Sequence, residues 1–150
     1  MKEELSTIIT FKIDDSLFAF DALKVRHILE LSKLTHMPNT AKFLIGLINL
    51  HGNIIPIADL RMLLGQQNLQ NTKDTSVIVI SPNGMLESYL GLVVDMVQEV
   101  IPISSDKIKP SLIEGSIGMI DTFIGTVHLN NEFINIINLD DLVEKVEKAK

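Results

Sequence analysis

Over residues 6–13 apolar and polar side chains alternate, with Ile9, Phe11 and Ile13 on one face; a second apolar stretch over 17–20 follows the turn formers Asp14-Asp15-Ser16. A period of two interrupted by such a turn predicts a β-hairpin. Asp21 is placed to cap a helical turn over 22–24, after which alternation returns: Val25, His27, Leu29 and Leu31 point one way, Arg26, Ile28 and Glu30 the other. The most informative stretch is 43–65. Two short apolar strands, 44–50 and 53–58, are joined by His51-Gly52, where a residue without a Cβ enters φ > 0 at no steric cost. Pro56 has no N–H for a ladder, which assigns the second strand to an edge or a bulge. Asp59 then caps a helical turn over 60–64, and Gly65 ends it.

Further strands are predicted over 75–80, 86–94, 96–103, 117–120, 123–129 and 132–138, with turns at Ser81-Pro82-Asn83-Gly84 and Asn130-Asn131. Helical turns are expected at 104–107 and, capped by Asn39, ahead of Phe43. The polar stretch 66–74, dense in Gln and Asn, reads as a surface loop separating two halves of one domain over 1–150. From 138 or 139 onward the period becomes helical, with Leu139, Leu142, Val143 and Val146 on one stripe. Strands about every ten residues, with almost no long helix, predict an all-β sandwich or small barrels.

Composition narrows the functions open to this chain. Its 150 residues are 46% hydrophobic with one Tyr and no Trp, so aliphatic side chains must fill the core. A formal net charge of −6 argues against nucleic acid as a partner, which would need a clustered basic face. The absence of Cys removes thiol catalysis and thiolate metal sites and suits the cytosol. The acidic opening Met1-Lys2-Glu3-Glu4 does not suit a signal peptide, and Asp95 interrupts the longest apolar run, so membrane insertion is not expected. No nucleophile–base pair, P-loop, G-x-G-x-x-G or H-E-x-x-H motif occurs, and Asp59 and Asp95 are explained as a helix cap and a strand-end carboxylate rather than as an acid/base pair. The chain is expected to be no enzyme and to need no cofactor.

Gly46, Asn49, Leu50-His51-Gly52, Pro56 and Asp59-Leu60-Arg61, in that order, resemble the signature of the CheW-like family of chemotaxis coupling proteins. The run Gly91-Leu92-Val93-Val94-Asp95 with Val97, Glu99 and Val100 resembles that family's second half, so the likeness spans most of the chain. It implies two SH3-like five-stranded barrels packed together, short helical turns and a C-terminal helix. The function implied is that of a non-catalytic adaptor which binds the regulatory domain of a CheA-type histidine kinase and the cytoplasmic tip of a chemoreceptor. Such a protein is cytoplasmic, is recruited to membrane receptor arrays, and can join rings with the kinase or with itself. The output served is flagellar chemotaxis or, alternatively, a non-flagellar chemosensory pathway. The implied receptor-binding groove comprises Val25, His27, Ile28, Ile48, Asn49, His51 and Val97, with Gly46 and Gly52 supplying close packing and turn geometry.

His51 departs from the family, which usually has Arg there, and His27 occupies a place where Glu is frequent. The family's pair is held to meet across adjacent strands of the first barrel, so a joint exchange to two imidazoles avoids an unpaired charge. A different class of function, a small-ligand or metal-binding regulator, would use His27 and His51 as its site, although metal centres normally take three or four ligands.

Overall fold

The computed structural model describes residues 6–38 and 40–149; the opening Met1-Lys2-Glu3-Glu4 and the Asn39 cap lie outside the described residues. The strands are β1 (Thr7–Ile13), β2 (Ser16–Asp21), β3 (Val25–Glu30), β4 (Leu44–Leu50), β5 (Asn53–Asp59), β6 (Ser76–Ile80), β7 (Leu90–Val94), β8 (Met96–Pro102), β9 (Phe123–Leu129) and β10 (Glu132–Ile137). Two helices, α1 (Leu60–Leu63) and α2 (Leu139–Lys148), follow β5 and β10. The strands form two five-stranded sheets, ordered β8-β1-β2-β10-β9 and β3-β6-β7-β5-β4.

Side-chain alternation divides the apolar residues among three cores. Ile8, Ala19, Val127, Ile134 and Ile136 fill the first sheet's own interior, and Ile55, Ile57, Val77, Val79 and Val93 fill the second's. Between the sheets lies a larger core that joins Ile9, Phe11, Phe18 and Phe20 to Ile78, Ile80, Leu92 and Val94 and is closed by Leu139, Leu142 and Val146 of α2. Strand β6 is apolar at four consecutive positions because both of its faces are buried: Val77 and Val79 enter one core, Ile78 and Ile80 the other.

Four expectations are corrected. The 66–74 stretch joins α1 to β6 within the second sheet instead of dividing the halves. The chain passes between sheets after β2 and again between β7 and β8, so the first barrel combines both ends of the sequence. Strand β5 is interior, flanked by β4 and β7; Pro56 is accommodated because the ladder with β7 begins one residue later, at Ile57. The 86–94 strand shortens to β7, since Leu86–Ser88 winds into a 3₁₀ turn in which Asn83 Oδ1 accepts from Met85 N–H at 2.9 Å and Ser88 Oγ at 2.7 Å. The 117–120 strand reduces to an isolated bridge, because Gly118 at φ 61 reverses the chain there.

Candidate functional site

The β4–β5 hairpin turns at two residues with positive φ, His51 at 54° and Gly52 at 87°, a backbone whose twist matches that of the flanking strands. Asn49 Oδ1 accepts from Gly52 N–H at 2.8 Å, so this exposed amide holds the turn. Gly46 serves close packing: a Cβ there would come within 2.8 Å of Leu34 Cβ and of the Thr35 carbonyl. The segment after β3 thereby lies against β4, with Thr35 N–H donating to Leu47 O at 3.0 Å and Leu47 N–H returning to Thr35 O at 2.8 Å.

That approach brings the two margins of the second sheet together and leaves a groove of about 390 Å³ between β3 and β4, with Ile28, Leu29, Leu34, Ile48, Asn49 and Leu50 along it, Val77 beneath, and Glu30 and Ser32 at its rim. Ile28 is 48% exposed. Of the residues expected to form one groove, Ile28, Ile48 and Asn49 meet here. Val25 and Val97 do not line it; both are half-buried against the inter-sheet core, and Val97 sits on β8 of the other sheet, opposite Phe11.

His27 and His51 do approach each other, with ring centroids 6.3 Å apart and planes tilted by 51°. Tyr89 meets His27 edge-on, also at 6.3 Å. His27 is on β3 and His51 in the β4–β5 turn, and β3 is hydrogen-bonded to neither β4 nor β5, so the rings do not meet between adjacent strands. Two imidazoles supply fewer donors than a protein metal centre normally uses, and among the described residues no three His, Cys, Asp or Glu side chains converge as a metal site.

Arg61 is the residue that local reasoning missed. Asp59 caps α1 as expected, accepting from Arg61 N–H at 3.0 Å, but it also takes the Arg61 side chain bidentately, Nε to Oδ1 at 2.9 Å and Nη2 to Oδ2 at 2.8 Å. Asp95, 34 positions further on, accepts from Nη1 at 3.2 Å. Burial works against the charged guanidinium and is outweighed by hydrogen bonds and attraction from Asp59 and then Asp95, which raise its pKa above the ordinary Arg value. The available signal was an Arg set between Leu60 and Met62 in an apolar run.

Comparison with known proteins places this geometry. The family model described as a CheW-like domain matches residues 7–147. The chain belongs to the CheW-like family. Chemotaxis protein CheW of Klebsiella aerogenes is 29% identical over 140 residues, covering 93% of this chain and 82% of that protein. The Thermotoga maritima CheW is 27% identical over 139 residues, covering 93% of this chain and 88% of that one. The crystal structure of the scaffolding protein TtCheW from Thermoanaerobacter tengcongensis superposes with a TM-score of 0.77 at 30% identity, over 89% of this chain and 88% of that chain. The CheW-like fold accounts for the two SH3-like barrels, and the chain is a chemotaxis coupling adaptor. The reading of His27 and His51 as a ligand site is not favoured. No helix among the described residues is long and apolar enough to cross a membrane.

Proposed function

We propose that this CheW-like chain works as one rigid, non-catalytic unit, holding the regulatory domain of a CheA-type histidine kinase beside the cytoplasmic tip of a chemoreceptor. The observation that carries the receptor half is the β3–β4 groove, whose apolar walls and half-exposed Ile28 suit an apolar side chain from a partner helix. Ile28, Ile48 and Asn49 form its contact surface, with His27 next to Ile28 on β3 and His51 in the turn that follows β4, while Val25 and Val97 pack against the inter-sheet core. For the kinase, support comes from exposed Ile54, Met85 and Leu86, which the register of β5 with β7 brings to one end of the second barrel. Two modest interfaces on one body act through effective concentration, so the ternary assembly exceeds either contact alone. The protein then resides in the cytoplasm and joins membrane receptor arrays, in rings with the kinase or with itself.

Co-sedimentation of receptor signalling fragments and kinase, with kinase activity measured with and without this protein, tests the reading. Wild type is expected to raise both; Ile28→Glu should lose receptor fragments while keeping kinase binding and its circular dichroism spectrum. Equal receptor binding by Ile28→Glu would remove the groove from the mechanism, and no effect of wild type would remove the coupling role.

A further inference from the structure

We propose that Arg61 is a positioning residue that sets how the two barrels sit against each other, and that coupling depends on it more than either pairwise contact does. The second clause rests on the coupling role proposed above. The Arg61 side chain is 3% exposed, and each of its five N–H donors has an acceptor, drawn from three separate segments of the chain. Three of them reach Asp59 and Asp95; Gln70 O takes Nη1 at 3.2 Å and Asn71 Oδ1 takes Nη2 at 2.8 Å, so the 66–74 stretch is held as well.

Asp95 stands between β7 and β8, where the chain leaves the second sheet for the first. Its Oδ2 accepts from Asp14 N–H of the β1–β2 turn at 2.6 Å, and its own N–H donates to Lys12 O at 3.1 Å. A charged path therefore runs from β5 through Asp59, Arg61 and Asp95 to the opposite barrel. The large core between the barrels is apolar, and apolar attraction has no preferred direction. A guanidinium does have one: held bidentately on Asp59, the Arg61 fork points Nη1 at Asp95, which in turn holds the β1–β2 turn. Among the described residues the other ion pairs, Lys24–Asp140, Lys145–Asp121 and Lys148–Glu144, lie closer to solvent, where such pairs contribute little. Lysine would restore the charge at position 61 without the planar fork.

The absence of Cys from the chain permits a direct test. Full-length protein carrying Glu87→Cys on one barrel and Glu132→Cys on the other is spin-labelled, and the distance distribution between labels is measured in wild-type, Arg61→Lys and Asp95→Asn backgrounds. Asp95 is 33% exposed on its side chain, so Asp95→Asn keeps the assay open even if Arg61→Lys folds poorly. Both variants are expected to shift or broaden the distribution. Unlabelled versions should bind receptor fragments and kinase separately as wild type does, yet lose about tenfold or more of kinase activation in the three-part mixture, the scale of an ordinary coupling energy. An unchanged distribution in Asp95→Asn overturns the positioning role, and pairwise binding that falls in step with activation overturns the coupling clause. Wild type that fails to activate the kinase removes the coupling role alone, since the label distances still decide whether Arg61 orients the barrels.

Discussion

Gly91 lies on β7 between Ile57 of β5 and Val79 of β6. A Cβ there would overlap Ile57 Cδ1 and come within 2.8 Å of Val77 Cγ1, inside the second barrel's core. Gly91→Ala therefore inserts one methyl where one methyl already sits, and overpacking of this kind costs about 1–3 kcal/mol. Ile57→Val removes that Cδ1 and alone should cost about 0.5–1.5 kcal/mol for the space it leaves. Combined, the two substitutions move a methyl from position 57 to position 91 at nearly constant volume. The double variant should then cost no more than Ile57→Val alone, a favourable interaction of about 0.5–3 kcal/mol. With one Tyr and no Trp in the chain, urea unfolding followed by circular dichroism is the assay of choice, at constant m. In thermal scans Gly91→Ala should lower Tm by about 2–4 °C per kcal/mol lost, and the second substitution should restore most of it. Strict additivity of the two costs, or a neutral Gly91→Ala, would refute the packing argument. Because Val77 also floors the groove, Gly91→Ala should weaken receptor-fragment binding as well.

At the β4–β5 turn, Gly52→Ala forces a Cβ into φ 87° and should cost roughly 1–2 kcal/mol, whereas His51→Asn at φ 54° should leave the urea midpoint unchanged or raised; the reverse order would contradict the turn geometry. Asn138 Oδ1 caps α2 by accepting from Asp141 N–H at 3.2 Å, so Asn138→Ala should lose about 1 kcal/mol and speed amide exchange in the helix's first turn. The Lys145 hydrogen bond, helped by Thr122, holds the Asp121 carboxyl below its ordinary range. A lowered folded-state pKa contributes stability above the unfolded value and loses it as pH falls through the folded one. The small Tm deficit of Asp121→Asn at neutral pH should accordingly shrink as the pH drops through and below about 4, and a deficit that stays constant would exclude the ion pair as its cause.

Strands such as β4 and β9, the turn at His51-Gly52 and the caps at Asp21 and Asp59 were legible in the sequence because each is decided by a few neighbouring residues. Alternation reports a half-buried strand, and a short polar side chain beside an orphan N–H reports a cap. Nearby hydrogen bonds and a positive φ ended the expected strands at 86–94 and 117–120, and these depend on side-chain and backbone details that alternation does not carry. The polar 66–74 stretch resembled a boundary because its solubility is local, while its place inside the second sheet depends on β5, β6 and β7 pairing.

The candidate site divides in the same way. Apolar Ile28 and Ile48 were readable as strand residues, but their meeting across a groove depends on Gly46 letting the segment after β3 approach β4. Local pattern placed Val25 and Val97 equally well on a surface or in a core, and only the arrangement of three cores set them against the one between the sheets. Arg61 is the extreme case, since its acceptors at 59, 70, 71 and 95 are adjacent in space and dispersed in sequence. By itself the sequence determined the elements, their turns and the family, because short-range sterics and hydrophobic period act within a few residues. Tertiary structure alone decided strand order, groove and charge path, because these follow from which distant faces are buried together.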